Sequence, residues 1–143
     1  MFLKIGINLK RFLKYMIFTL LIIFISFGYY SRNKGKAINI FGNYISVVVS
    51  GSMEKTIKTN DFIIYKESDN YEVNDIIVFK VNDYLVVHRI IYEDENGYVT
   101  KGDNNLSDDL SRYGYIQEKQ IVGKVTHNFH LFGIGKFLIP TSK

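Results

Sequence analysis

VVVSGSMEKTI, residues 47–57, is the stretch on which the rest of the chain depends. Its three β-branched valines predict a strand that runs into the interior. The strand stops at Ser-Gly-Ser, where Gly51 permits a sharp turn and Ser52 is presented at the strand end. Ser-Gly-Ser is also an ordinary turn tripeptide. Ser52 is a candidate nucleophile only if the chain also supplies a base, because a neutral hydroxyl attacks poorly.

Short apolar segments rich in Ile, Val, Tyr and Phe make up most of the chain from residue 38 onward, with little helical periodicity. They predict strands at residues 44–49, 62–66, 76–81, 84–92, 98–101 and 121–126. Asn82-Asp83 is a turn signal that predicts a hairpin. Residues 102–115 form a polar loop. We therefore predict a mainly β domain of about 100 residues, a barrel or a sandwich.

Residues 15–30 carry no charged side chain and predict a single membrane-spanning helix. A cleaved signal peptide is disfavoured because the residues after the apolar core form a poor small-x-small site. A buried helix of a soluble domain is disfavoured because it would show a polar stripe. The 143-residue chain then divides into a basic cytoplasmic lead-in (1–14), the anchor, a linker (31–37) and a β-rich domain (38–143).

The formal net charge of +4 comes largely from the flanks of this apolar stretch. A basic cluster beside a span is better explained by lipid headgroups than by nucleic acid, so we predict bilayer contact and no nucleic-acid partner. A slight excess of positive charge before the span favours a single-pass protein of the cell membrane, with its N-terminus cytoplasmic and its β domain extracytoplasmic. The chain has no cysteine, which excludes disulfides and thiol catalysis.

His88 lies in the centre of the otherwise apolar segment 85–91 and is the candidate base. Imidazole titrates near neutrality and is the usual general base for a serine. A structural histidine of the core is the alternative interpretation. His127 and His130 have a spacing seen in metal sites. No carboxylate-rich set or cysteine accompanies them, so we predict neither a metal nor a cofactor.

Three aspartates of the polar loop are candidates for orienting this histidine: Asp103, Asp108 and Asp109. A carboxylate at the distal imidazole nitrogen would set the tautomer and stabilise the imidazolium. Asp103 follows a glycine in a tight turn and could instead bond its own loop backbone. Asp108 and Asp109 could equally be solvated loop carboxylates. Sequence spacing alone does not choose among the three.

Three blocks occur in the order found in the type I signal peptidases, which this chain resembles. They are Ser50-Gly51-Ser52-Met53 with Thr56, Val87-His88-Arg89, and Lys101-Gly102-Asp103-Asn104-Asn105. The resemblance is to the endoplasmic-reticulum-type (Ser–His) branch, which includes the eukaryotic catalytic subunit and its Gram-positive bacterial relatives. The ordinary bacterial branch has a lysine where this chain has His88. Lys80 and Lys101 remain as alternative bases, but both lie outside that block.

The resemblance implies a signal-peptidase/LexA-like catalytic domain of β-barrel type, preceded by a single N-terminal transmembrane helix. It implies that Ser52 is the nucleophile and His88 the base. It further implies an oxyanion site formed by the Ser52 backbone N–H and the Ser50 hydroxyl. Two aspartates matter in this branch; we assign Asp109 as the partner of His88 and Asp103 as a supporting acid, with the reverse assignment left open.

By this resemblance the chain is a membrane-anchored serine endopeptidase that removes signal peptides from secretory preproteins at small-x-small sites. The lipid bilayer and accessory membrane subunits would be further partners. Two features depart from the family pattern. Lys55 stands where proline is frequent, which loosens the turn slightly, and residues 131–139 are too short and interrupted for a second span.

Two other functions stay open at this point. One is a non-catalytic, membrane-anchored β module that binds extended peptides, because a fold does not by itself imply an activity. The intact Ser/His/Asp set argues against it. The other is a self-cleaving regulator of the LexA-like fold, which shares the Ser-Gly-Ser-Met block. The span and His88 argue against this reading, because that group is soluble and uses lysine.

Overall fold

A computed structural model describes residues 9–34 and 37–130 of the chain. The first part of the predicted lead-in, residues 1–8, therefore lies outside the described residues. The same holds for linker residues 35 and 36, and for segment 131–139, whose sequence is too short and interrupted for a second span.

The chain divides into two compact units, and the first, Met1–Gly35, contains the helix α1 at Leu9–Lys34. This helix has 26 residues and includes the whole uncharged stretch 15–30. It begins inside the predicted lead-in and ends inside the predicted linker, 31–37. Over the residues whose side chains are described, no helix is both long and apolar enough to cross a membrane. The division of the chain at residues 14, 30 and 37 stays a prediction.

The second unit, Lys36–Lys143, is built on one seven-stranded sheet. Its strands are β1 (Ile38–Ile40), β2 (Asn43–Val47), β3 (Phe62–Lys66), β4 (Ile76–Val81), β5 (Tyr84–Asp94), β6 (Gly97–Lys101) and β7 (Ile121–Phe129). Their spatial order is β1-β2-β3-β7-β4-β5-β6, and every neighbouring pair is antiparallel. The mainly β prediction is confirmed. Among the described residues β1 and β6 are the edges of this sheet, whereas a closed barrel would pair them.

The observed strands follow the predicted ones closely in the centre of the sheet. β3 and β4 have the predicted bounds, and the hairpin predicted at Asn82-Asp83 joins β4 to β5. β2 ends at Val47, two residues early, because Val48 exchanges backbone hydrogen bonds of 2.8–2.9 Å with the loop at residues 60 and 61.

Two elements were absent from the sequence prediction because they are too short to show a periodicity. β1 has three residues, and the predicted polar loop 102–115 contains one helical turn, α2, at Leu110–Tyr113. The chain also forms single turns of 3₁₀ helix at Gly51–Met53 and Glu118–Gln120. The first of these turns carries the candidate nucleophile.

β4 is buried on both faces and separates two hydrophobic clusters. Ile77 and Phe79 contribute to one cluster, which also contains Tyr71, Ile90 and Ile116. Val78 contributes to the other cluster, which also contains Val48, Met53, Ile57, Ile63 and Tyr65. Successive strand side chains point to opposite faces, and β5 pairs with β4 so that Ile77 is opposite His88. His88 and Arg89 are therefore directed to opposite sides of the sheet.

Candidate active site

Ser52 lies in the 3₁₀ turn Gly51–Met53, which begins shortly after the chain leaves β2. The turn is closed by the N–H of Glu54 donating to the Gly51 carbonyl at 3.2 Å. The N–H of Ile57 donates to the Met53 carbonyl at 2.7 Å. Because the Met53 side chain is fully buried, the turn is anchored to the core while Ser52 stays half-buried.

His88 lies in the middle of β5 and is 3% exposed. Its ring packs edge-on against Phe79, with 6.4 Å between the ring centroids. The Nε2 atom is 3.0 Å from Ser52 Oγ, which is hydrogen-bond distance. The strand thus holds the imidazole beside the serine although the two residues are 36 positions apart.

Asp109 occupies the other side of the imidazole. Its Oδ2 atom is 2.5 Å from His88 Nδ1, and the carboxylate is as deeply buried as the ring, at 3% exposure. Thr100 Oγ1 donates to the same Oδ2 at 2.7 Å. Asp108, the neighbouring candidate, accepts a bond from the Leu110 N–H instead. Of the three candidate aspartates, the structure brings Asp109 to the histidine.

Asp103 lies on the opposite face of β5 and contacts Arg89. The guanidinium donates twice, from Nε to Oδ1 at 2.9 Å and from Nη2 to Oδ2 at 2.7 Å. The Thr56 hydroxyl also donates to Oδ2. These hydrogen bonds from Arg89, then from Thr56, lower the pKa of Asp103, and Asp103 in turn raises the pKa of Arg89. This aspartate therefore ties its loop to β5 rather than to the histidine.

The loop after β6 also clamps the turn that carries the serine. The backbone N–H of Asn104 donates to the Ser52 carbonyl at 2.8 Å, and the Asn104 side-chain amide donates to the Gly51 carbonyl at 3.1 Å. A Cβ on Gly102 would lie 2.7 Å from the Ser52 carbonyl oxygen and 2.7 Å from the Asn105 amide. Only glycine permits this approach, so the spacing of loop and turn depends on Gly102.

The two predicted oxyanion donors are the Ser50 hydroxyl and the Ser52 backbone N–H. Ser50 is exposed, and its Oγ is 3.2 Å from Ser52 Oγ. Among the hydrogen bonds of the described residues, the Ser52 N–H donates to no acceptor. The serine hydroxyl contacts an imidazole, and the imidazole contacts a buried carboxylate. This is the arrangement that makes a serine nucleophilic.

A family model for Peptidase S24-like proteins matches residues 35–126 of the chain. The chain belongs to the Peptidase S24-like family. No curated protein matches the sequence. The matched region contains Ser52, His88, Asp103 and Asp109. Membership indicates a domain of serine-peptidase type.

The two lysines that the sequence offered as alternative bases do not contact Ser52 in the described part of this S24-like domain. Lys101 Nζ donates to the Leu106 carbonyl at 3.2 Å, and Lys80 is exposed on β4. The side-chain contacts of the Ser52 hydroxyl are Ser50 and His88. Within residues 37–130, the geometry therefore offers a histidine, and no lysine, as the group that can accept the serine proton.

The remaining histidines of the S24-like domain have separate surroundings. His127 is exposed and stacks on Phe129 with 6.1 Å between the ring centroids. His130 Nδ1 is 2.5 Å from Asp61 Oδ1. Over the described residues, no cluster of three or more His, Asp or Glu side chains could hold a metal ion.

Sequence reasoning missed Thr100, which contacts the Asp109 carboxylate. It also missed the clamp that Asn104 forms on the serine turn, although Asn104 belongs to one of the motif blocks. A signal for Thr100 existed in the strand pattern. It is a polar residue at a position of β6 whose β5 neighbour, Ile90, is fully buried. A buried hydroxyl needs a hydrogen-bond partner, so such a position predicts a polar contact.

Proposed function

We propose that this S24-like chain is a membrane-anchored serine endopeptidase that removes signal peptides from secretory preproteins at small-x-small sites. The observation that supports it is the line of contacts Ser52–His88–Asp109, at 3.0 Å and 2.5 Å. An acid–histidine pair of this kind activates a serine hydroxyl for attack on a peptide carbonyl near neutral pH.

In the proposed mechanism Ser52 Oγ attacks the scissile carbonyl carbon while His88 Nε2 takes the hydroxyl proton. Asp109 holds the imidazole by Nδ1 and stabilises the imidazolium that forms. His88 then returns its proton to the leaving amine, and the C–N bond breaks to leave an ester on Ser52. A water molecule, deprotonated by His88, attacks that ester and releases the new C-terminus.

The negative oxygen of each tetrahedral intermediate needs donors that are already in place. The Ser52 N–H and the Ser50 hydroxyl are the proposed donors, because the N–H has no acceptor among the described residues and Ser50 is exposed beside it. Hydrogen bonds aimed at such an oxygen are worth about 2.7–4 kcal/mol each in enzymes of this chemistry.

The segment that precedes Ser52 is accessible to a substrate in an extended conformation. Val49 is 68% exposed, and Ser50 has an extended backbone with φ −125° and ψ 157°. An extended peptide can therefore pair with this segment through main-chain hydrogen bonds, as in strand addition. We propose that shallow pockets beside it admit only small side chains, which gives the small-x-small preference.

The proposed membrane anchor is the uncharged stretch 15–30, which lies within α1. The 26 residues of α1 extend about 39 Å and the uncharged stretch about 24 Å of that, against a hydrocarbon thickness of about 30 Å. The large apolar side chains described between Tyr15 and Ile23 are all exposed, and a helical stretch that is apolar all round requires an apolar environment. We propose a single span with a cytoplasmic N-terminus and an extracytoplasmic peptidase domain.

This anchor would hold the enzyme and a membrane-inserted preprotein in one plane and so raise their effective concentration. Accessory membrane subunits are a further proposed partner. The LexA-like alternative, self-cleavage by a soluble regulator, uses a lysine base. It is disfavoured because a histidine contacts the serine here.

The test is cleavage of a precursor with an Ala-x-Ala site by the full chain in liposomes. We expect the wild type to cut after the second alanine and Ser52→Ala and His88→Ala to be inactive. Ser107→Ala and His127→Ala are matched controls, because both residues are exposed and neither contacts Ser52. Cleavage by Ser52→Ala would overturn the assignment.

The same preparations distinguish the signal-peptidase hypothesis from the LexA-like, self-cleaving alternative. Incubation of the wild type alone should leave its mass unchanged at every protein concentration. Self-cleavage at a rate that does not depend on concentration would instead indicate an intramolecular regulator. His88→Lys should be inactive, since the pocket for the base is formed by Phe79 and Asp109 around a flat ring.

A further inference from the structure

Thr100 is a fully buried polar residue beside the candidate site, at 0% exposure on β6. Its hydroxyl donates to Asp109 Oδ2 at 2.7 Å, and this is the oxygen that contacts His88 Nδ1 at 2.5 Å. We propose that Thr100 is a positioning residue that holds the Asp109 carboxylate in the orientation in which it accepts from His88. The inference rests on the proposed peptidase function and adds a fourth side chain to it.

Thr100 holds Asp109 at two points. The backbone N–H of Asp109 donates to the Thr100 carbonyl at 2.9 Å, while the Thr100 hydroxyl donates to the carboxylate. The backbone bond fixes where the residue sits, but it leaves the carboxylate free to turn about its terminal torsion, which is broad for aspartate. The hydroxyl removes that freedom.

The sheet register places Thr100 where it can do this. It pairs with Ile90 of β5, two residues from His88, so Thr100 and His88 share one face of the sheet. Threonine is also β-branched, and its χ1 angle is restricted by the strand. The donor is therefore supplied by a stiff side chain on a hydrogen-bonded strand rather than by a loop.

The hydrogen bond from the Thr100 hydroxyl also offsets part of the cost of burying the Asp109 carboxylate. Asp109 is 3% exposed, and a buried carboxylate is costly unless donors surround it. The hydroxyl supplies a neutral donor and adds no competing positive charge. It thereby gives the buried carboxylate a second hydrogen-bond partner and keeps it directed at the imidazole.

The test compares Thr100→Val and Thr100→Ser in the full chain in lipid nanodiscs. Valine keeps the shape and removes the donor, whereas serine keeps the donor. Thr126→Val is a matched control, because Thr126 is exposed on β7 and its hydroxyl bonds only the Ile64 carbonyl at 3.2 Å. The first readout needs no substrate: the low-field proton resonance of His88 Nδ1–H, assigned by its absence in His88→Ala.

We expect this resonance to move or broaden in Thr100→Val and to persist in Thr100→Ser and Thr126→Val. In the liposome assay kcat should fall about tenfold in Thr100→Val with KM unchanged, and serine should restore it. A resonance and a kcat that are the same in Thr100→Val and the wild type would overturn the proposal. So would a loss of kcat that serine does not restore.

The two readouts also separate this inference from the proposed function. A shifted resonance in a chain that cleaves no precursor would retain the positioning role and reject the signal-peptidase activity. If Thr100→Val does not fold by circular dichroism, Thr100→Ala removes the same hydroxyl without overpacking the site. An unchanged His88 resonance in a folded Thr100→Ala protein is then the overturning result.

Discussion

The two faces of β5 combine a basic side chain with an aspartate in different ways. On one face His88 and Asp109 are each 3% exposed, and the histidine continues to Ser52. On the other face the side chains of Arg89 and Asp103 are 26% and 14% exposed and form a two-point ion pair. Both faces therefore pair an acidic with a basic side chain. The candidate catalytic face differs from the face that only holds the loop in its deeper burial and in its third, nucleophilic partner.

Both aspartates come from the single loop that follows β6. Asp103 and Asp109 are six residues apart, and β6 ends at Lys101, opposite Arg89 in the middle of β5, so the loop that follows supplies one aspartate to each face. His88 and Arg89 are neighbours on the strand, and their side chains therefore diverge. Single substitutions test whether the two faces of β5 have these different roles.

The largest effect is expected for Asp109→Asn. The amide can donate to Nδ1 and so favour the wrong tautomer of His88, which should lower kcat by about 10³–10⁴-fold while the protein stays folded. The measurement is single-turnover cleavage in liposomes together with thermal unfolding. Asp108→Asn is the matched control, since Asp108 is exposed and contacts only the next helical turn. Activity of Asp109→Asn within tenfold of the wild type would assign the chemistry to another acid.

Gly102→Ala should act on both faces at once. The new Cβ would lie 2.7 Å from the Ser52 carbonyl oxygen, so the loop or the serine turn must move. We expect a loss of about 3 kcal/mol in the free energy of unfolding, in the range of overpacked sites, together with reduced cleavage. Denaturant unfolding measures the first. Gly114→Ala is no control because its φ is +70°, so the comparison is with the wild type.

Asp103→Asn should lower stability more than activity. It leaves Arg89 without its carboxylate, and the partly exposed pair is expected to contribute about 1–2 kcal/mol. The expected kcat changes less than tenfold because Asp103 does not contact His88 or Ser52. A loss of activity as large as that of Asp109→Asn, at unchanged stability, would reverse the assignment of the two aspartates.

The pH dependence of the same variant sharpens the test. The Arg89 hydrogen bonds lower the pKa of Asp103 below its ordinary value of 3.8. The stabilisation is therefore complete above about pH 4 and is lost as the pH falls through the folded pKa. The difference in unfolding free energy between wild type and Asp103→Asn should be constant near neutrality and shrink in acid. A difference that does not change down to pH 2 would contradict the ion pair.

The smallest effect is expected for Asn104→Ala. The backbone bond to the Ser52 carbonyl stays, and only the exposed side-chain bond to Gly51 is lost. We expect a loss of about 0.5–1 kcal/mol in unfolding free energy and a two- to fivefold fall in kcat. Asn70→Ala is the matched control. It removes a comparable exposed side-chain hydrogen bond, to Glu72, at a position distant in sequence from Asn104, and it should leave kcat unchanged. Equal kcat values in the two variants would show that the side-chain clamp is dispensable.

Much of this arrangement could be predicted from residue patterns. The strands at 62–66 and 76–81 were placed correctly because several β-branched and apolar residues follow one another between turn signals. The single turn α2 and the three-residue β1 were missed because such short elements have no periodicity. The open order of the sheet was also beyond the sequence, since it depends on which distant strands pair.

The order of residues alone specifies the chemistry that is available: a serine after a strand, a histidine inside a strand, and a loop with three aspartates. The period of two along β5 even determined that His88 and Arg89 diverge. Which aspartate contacts His88 and which contacts Arg89 depends on the folded chain, because the spacing of residues along a loop does not determine which face of the sheet each one reaches. The same holds for Thr100, whose contact with Asp109 exists only once β6 is paired with β5 in this register.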